Sequence, residues 1–117
     1  MRHFTIASDD ASVLIVASDP DLRLTLTIGC RAAGLYVRAV SRIAEVERWP
    51  IGQIVITDVA HLSPWWKMVD AREVFVVVRD ADEAAAGLRN GATGYLDAPI
   101  TASAVAERMV GLCESVA

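Results

Sequence analysis

Three short runs constrain this chain more than anything else in it: Ser12–Ala17 (S-V-L-I-V-A), Gln53–Thr57 (Q-I-V-I-T) and Val74–Val78 (V-F-V-V-V). Each is rich in β-branched apolar residues and lacks polar alternation. A strand of that kind must be covered on both faces, which is the condition of a parallel sheet between helices. The intervening segments carry helix punctuation. Asp19 is an N-cap, Pro20 suits the first helical position and Asp21 complements the helix dipole. That helix is predicted to run to about Ala33, with Leu22, Leu26 and Cys30 on one stripe and Gly34 as its stop. Leu35–Val40 reads as a second strand. Ser41 is predicted to cap a short helix reaching about Trp49, which Pro50 and Gly52 then break.

Between Asp58 and the fourth strand, His61–Arg72 leaves room for only one or two helical turns, opened by Pro64-Trp65-Trp66. Asp82–Asn90 reads as a helix with Ala85 and Leu88 inward and Gly91 as its C-terminal stop. Tyr95-Leu96 is a fifth strand. Thr101 or Ser103 caps a last helix whose Val105, Met109, Leu112 and Cys113 form an apolar stripe. Adjacent Trp65 and Trp66 cannot both face one core, so one of them is expected to be partly exposed. The alternation predicts a flavodoxin-like (βα)5 three-layer sandwich with a parallel sheet of order 2-1-3-4-5 and a shortened third helix.

At 117 residues the chain suits one domain. Residues 1–10 read as a polar lead, in which His3–Ala7 could form a stray edge strand, and 11–117 as the domain. A net charge of -4 and a pI near 5.0 argue against a nucleic-acid footprint. No apolar run suits a signal peptide or a membrane span, and a cytoplasmic location is expected. Cys30 and Cys113 read as buried free thiols in a reducing compartment. His3 and His61 have no metal-spaced partner and read as surface residues. No Ser–His–Asp set, phosphate loop or G-x-G-x-x-G stands out, so no enzyme activity is expected.

In an open parallel sheet the ligand site lies off the carboxyl ends of the strands. The residues there are Ala17, Ser18 and Asp19, then Asp58, then Arg79 and Asp80, then Asp97, Ala98 and Pro99. Asp19 and Asp58 are the minimum for a hard cation such as Mg²⁺. They are weak metal candidates, and no cofactor is expected beyond weakly held Mg²⁺.

The stretch Gly91–Pro99 (G-A-T-G-Y-L-D-A-P) closely resembles the fifth-strand region of response-regulator receiver domains, in which the residue before the Pro is a phosphate-contacting lysine. Here it is Ala98, and Lys67, the only lysine of the chain, lies far upstream. Ile15–Arg23 (I-V-A-S-D-P-D-L-R) resembles the family's first strand and puts Ala17 and Ser18 on the usual acidic metal-binding pair, with Asp19 on a third position. Ile54–Asp58 resembles the strand ending in the phosphoacceptor, and Asp58 takes that place. The resemblance covers about Val13 to Leu112, with three departures. Pro64 comes later than the family's proline, no Ser or Thr follows strand four, and the stretch from Asp58 to Ala98 is shorter than the family's, mostly around the third helix and the loop after strand four.

The resemblance therefore implies a degenerate member, a pseudo-receiver. It would act in signal transduction by protein–protein contact, with Asp58 an inactive phosphoacceptor position and Ala17, Ser18, Asp19, Arg79, Ala98 and Pro99 a degenerate pocket. Receivers dock or dimerise through the fourth helix, fifth strand and fifth helix, which here offer Arg89, Tyr95, Glu107 and Arg108. Trp65 and Trp66 are further interface candidates, and no direct nucleic-acid or membrane contact is implied. Two alternatives stay open. One is a conventional phospho-accepting receiver using Asp58 with Mg²⁺, with Asp19 and Asp97 as further ligands; the other is a small flavodoxin-like ligand-binding domain or enzyme. Met1 fits a native start, and a last helix running nearly to Ala117 fits either a natural end or a cut before an effector.

Overall fold

The computed structural model describes residues 12–114. The lead at 1–10, with the expected stray strand at His3–Ala7, and the last residues before Ala117 lie outside the described residues. Five parallel strands form one sheet: β1 (Ser12–Val16), β2 (Tyr36–Val40), β3 (Ile54–Asp58), β4 (Glu73–Val78) and β5 (Gly94–Asp97), in the order β2-β1-β3-β4-β5. Among the described residues three α-helices accompany them: α1 (Pro20–Ala32), α2 (Ala81–Arg89) and α3 (Ala102–Glu114). This is the predicted flavodoxin-like topology.

The double-sided apolar strands divide their side chains between two cores. Val13, Ile15, Ile54, Ile56, Phe75 and Leu96 face α1 and α3, where they meet Leu26, Cys30, Val105 and Met109. Leu14, Val16, Val55, Val74, Val76 and Val78 face the other way, toward Trp66 and Ala92. The first layer is tight because Gly29 of α1 lies directly against α3. A Cβ built on it would stand 2.5 Å from the Cβ of Val105 and 2.7 Å from the Ala102 carbonyl. Asp19 caps α1 through the Asp21 amide, and Thr101 Oγ1 accepts from the Ala104 amide to start α3. Gly91 ends α2 at φ 96, a conformation that L side chains rarely adopt.

The second face departs from expectation. The helix predicted from Ser41 to Trp49 is only a 3₁₀ turn, Ile43–Glu45. Ser41 does not cap it. Its amide and hydroxyl instead donate to Glu45 Oε1 at 2.8 and 2.9 Å, and the chain turns extended at Val46. From there Ile43 and Val46 reach the second core, and Trp49 swings out to Trp65. The third helix shrinks to two 3₁₀ turns, Val59–His61 and Pro64–Lys67. Trp66 fills the space, 2% exposed, with its indole N–H donating to the His61 carbonyl at 3.0 Å. Trp65 is the partly exposed member of the pair. Leu88 was expected inward but is 51% exposed. The helix seats Gly87 on Val76 and Ala84 on the second core, which leaves Leu88 at the rim of the stripe.

Cys30 and Cys113 are free thiols in the same core cluster. Burial, with Cys113 nearby, pushes the Cys30 thiol up to about 12. Among the described residues no helix is long and apolar enough to cross a membrane.

Candidate functional site

A cleft of about 470 Å³ opens at the carboxyl ends of the strands. Asp19, Asp58, Arg79, Ala98 and Pro99 all line it, so the topology brings these predicted residues together. Leu22, Val59, Val77 and Ile100 give it apolar walls. Four other predicted residues contribute no side chain. Ala17 is fully buried in the first core, Ser18 is exposed outside the cleft, Asp80 faces a groove between α2 and β5, and Asp97 lies on grooves flanking β5. Asp97 is therefore not available as a third ligand beside Asp19 and Asp58. Strand alternation explains this, since Asp97 shares its side of β5 with exposed Tyr95 and not with buried Leu96.

Asp58 ends β3 and is only 15% exposed. Both of its oxygens are engaged. Oδ2 accepts from the Ser18 amide at 2.9 Å, while Oδ1 accepts from the His61 amide at 3.1 Å and faces His61 Nδ1 at 2.5 Å. One carboxylate thus caps the 3₁₀ turn that follows it and ties that turn to the end of β1. His61, expected at the surface, is 14% exposed and is Asp58's partner. Its isolation in the sequence hid this. The signal was the spacing, because an Asp with a His three residues on lets the carboxylate cap the turn and meet the ring together.

Asp19, Arg79 and Glu83, which also line the cleft, are occupied too. Asp19 Oδ1 accepts from the Asp21 amide at 3.0 Å. Arg79 donates to Glu83, with Nη2 2.6 Å from Oε2, and the Arg79 amide donates to Oε1 of the same carboxylate. Hydrogen bonding to Arg79 holds the Glu83 carboxyl below the usual range, and the same bond raises Arg79. Asp80 caps α2 through the Glu83 amide. Arg23, which the sequence reading did not single out, donates from Nη1 to the Ala17 and Ser18 carbonyls at 2.8 and 3.3 Å. A guanidinium thus fastens the loop on which an acidic pair would hold a cation. Ala98 ends in a cis peptide to Pro99, and its amide donates to the Val78 carbonyl at 2.7 Å.

The donor set fits a divalent cation poorly. Among the described residues no three His, Cys, Asp or Glu side chains are grouped to hold a metal. Four carboxylates line the cleft, Asp19, Asp21, Asp58 and Glu83; N–H donors already use oxygens of Asp19 and Asp58, and Glu83 is paired with Arg79.

The expected docking face lies beside this site. Tyr95 is 43% exposed, and Arg89, Glu107 and Arg108 are exposed. Arg108 is not a free surface charge. Its guanidinium lies 4.9 Å from the centre of the Phe75 ring, and Nη1 reaches the Tyr95 carbonyl at 3.5 Å. Trp66 is buried and offers nothing to a partner.

No family model matches the chain, and no curated protein does. Solved structures do. A response regulator from Thermotoga maritima aligns at 18% identity and TM-score 0.68, over 86% of this chain and 97% of that one. A response regulator receiver domain protein from Clostridium thermocellum aligns at 19% identity and TM-score 0.65, over 92% and 99%. The beryllofluoride-activated NtrC4 receiver domain, solved as a dimer, aligns at 15% identity and TM-score 0.66, over 92% and 99%. The chain has the receiver-domain fold.

Proposed function

We propose that this chain is a pseudo-receiver: a cytoplasmic signalling module with the receiver fold that works by protein–protein contact, without enzymatic activity and without a phosphoryl group on Asp58. The observation that carries this reading is the state of Asp58. Its carboxylate is spent on the Ser18 amide, the His61 amide and the His61 ring. Phosphoryl transfer to a carboxylate relies on electrostatic positioning of the developing charge. Here the lysine position is Ala98 and the acidic pair is Ala17 and Ser18. Arg79, the one cation lining the cleft among the described residues, is paired with Glu83. Removing a single charge-stabilising contact typically costs ~2–4 kcal/mol in a transition state, and several are missing together.

Signalling then runs through a surface. The face formed by α2, β5 and α3 supplies exposed Arg89 on α2, with Tyr95 and Glu107 lining a groove beside β5. The NtrC4 receiver's dimer is a precedent for receiver folds meeting another protein surface.

Incubation with acetyl phosphate and Mg²⁺, followed by intact mass, tests the chemistry. The expected result is no adduct. An adduct that disappears in Asp58→Asn would establish the conventional phospho-accepting reading instead.

A further inference from the structure

At the amino ends of β3 and β4, opposite the cleft, the surface carries an apolar patch that the signalling reading does not use. Trp49, Ile51 and Met68 are 61%, 65% and 77% exposed, and with Trp65 and Val69 they line a groove of about 320 Å³. The patch is rigidly supported. Trp49 packs on Trp65 with ring centres 5.1 Å apart, and Trp65 packs on buried Trp66 at 4.5 Å. Two backbone bonds, Gly52 amide to Asp70 carbonyl at 2.7 Å and Arg72 amide to Gln53 carbonyl at 2.8 Å, staple the two loops that carry it. Preorganised aromatic anchors lose little entropy on association.

We propose that a second copy of this chain covers this patch, making a two-fold symmetric dimer whose core is Trp49, Ile51, Trp65 and Met68. The charges around the patch select that occupant. Asp70 lines the groove, and exposed Glu47, Arg48 and Lys67 are chain neighbours of its lining residues, two acids and two bases together. A strongly acidic or strongly basic partner finds no net complement there. A two-fold interface does, because residue i meets residue j of the other copy and j meets i. Asp70 of the groove and exposed Lys67, which precedes its Met68 in the chain, have opposite signs, and among the described residues neither side chain forms an ion pair. Across a two-fold axis each Lys67 faces the other copy's Asp70. The exposed parts of the four core side chains come to roughly a few hundred Å², the apolar centre of a standard interface of ~800 Å² per partner. The patch lies away from Asp58 and from β5, so the dimer leaves the proposed docking face open.

Sedimentation of the full chain, with no phosphodonor or Mg²⁺ present, tests this independently of the chemistry at Asp58. The unsubstituted protein is expected to dimerise with concentration. Met68→Glu is expected to raise the dimer dissociation constant roughly tenfold or more, as burying one unpaired charge at a hot spot does, with an unchanged circular dichroism spectrum. Lys67→Asp and Asp70→Lys alone are each expected to weaken the dimer. Mixing the two variants restores it, because both cross-axis pairs re-form, one with its signs exchanged and one unchanged. A protein that stays monomeric up to high micromolar concentration overturns the proposal. So does a dimer that is indifferent to Met68→Glu and dissolved by Arg89→Glu.

Discussion

Asp58 Oδ1 and His61 Nδ1 lie 2.5 Å apart, and the same oxygen accepts the His61 backbone amide. This pair makes the carboxylate a structural cap, which sets its expected mutational behaviour.

Asp58→Ala strips acceptors from the Ser18 and His61 amides at once. Leaving such donors unmatched typically costs ~1–3 kcal/mol each where water cannot replace the acceptor. The variant should lose about 2 kcal/mol or more in urea unfolding. Asp58→Asn keeps an acceptor oxygen and should lose less. If Asp58→Ala unfolds at the same urea midpoint as the unsubstituted chain, the capping role is wrong.

The Cys30 thiol predicts a direction with pH. Its value in the fold, about 12, stands above the ordinary one of 9.0, so the folded state keeps its proton where the unfolded chain has lost it. The stabilisation is complete below pH 9 and fades as pH rises toward 12. Chemical denaturation across that window should show falling stability, and Cys30→Ala should flatten the fall. At neutral pH a thiol reagent should titrate Cys113 first, since Cys30 is fully buried. Equal reaction rates for the two thiols would contradict the packing.

Much of this fold was legible because it rests on local signals. Runs such as Val74–Val78 cannot be half-exposed strands, and Asp19-Pro20-Asp21 can hardly be anything but a helix start. The second-face helices were less legible. Nothing local says that Glu45 will reach back to Ser41, or that Trp66 alone will fill a helix-sized space. The positions of the site were readable from strand ends, but the use of its charges was not. Asp58 with His61, Arg79 with Glu83, and Arg23 with the Ala17 carbonyl are pairings that depend on loop geometry. Asp97 was misplaced for a simpler reason, since the parity of a four-residue strand decides its side.

Two glycines inside helices should respond with opposite signs to alanine. Ordinarily Gly→Ala in a helix interior gains up to ~1 kcal/mol. At Gly111 nothing lies within 4 Å of the added Cβ, so Gly111→Ala should stabilise. At Gly29 the added Cβ would meet Val105 Cβ at 2.5 Å and the Ala102 carbonyl at 2.7 Å. Helices α1 and α3 would have to part, and overpacking of this kind costs about 1–3 kcal/mol, which outweighs the propensity gain. Thermal unfolding of the two variants should move in opposite directions. A shared upward shift would mean that α1 and α3 are not in close contact.

The last expectation concerns Tyr95. In a switching receiver fold the state of the site must reach the β5 surface through contacts at the end of β4. Here that end offers Arg79 and Asp80, and both are committed to α2, Arg79 to Glu83 and Asp80 to the Glu83 amide. No hydroxyl stands there to exchange partners, and Tyr95 is already 43% exposed. A ligand at Asp58 therefore has no differential contact through which to shift Tyr95. Adding beryllofluoride with Mg²⁺ to isotope-labelled protein should leave the amide resonances of residues 92–97 in place. Concerted shifts along β5, saturating with beryllofluoride and absent in Asp58→Asn, would show a working switch and return Asp58 to a phosphoacceptor's role. Shifts confined to Ser18 and His61 would instead report local displacement of the Asp58 cap and leave Tyr95 uncoupled.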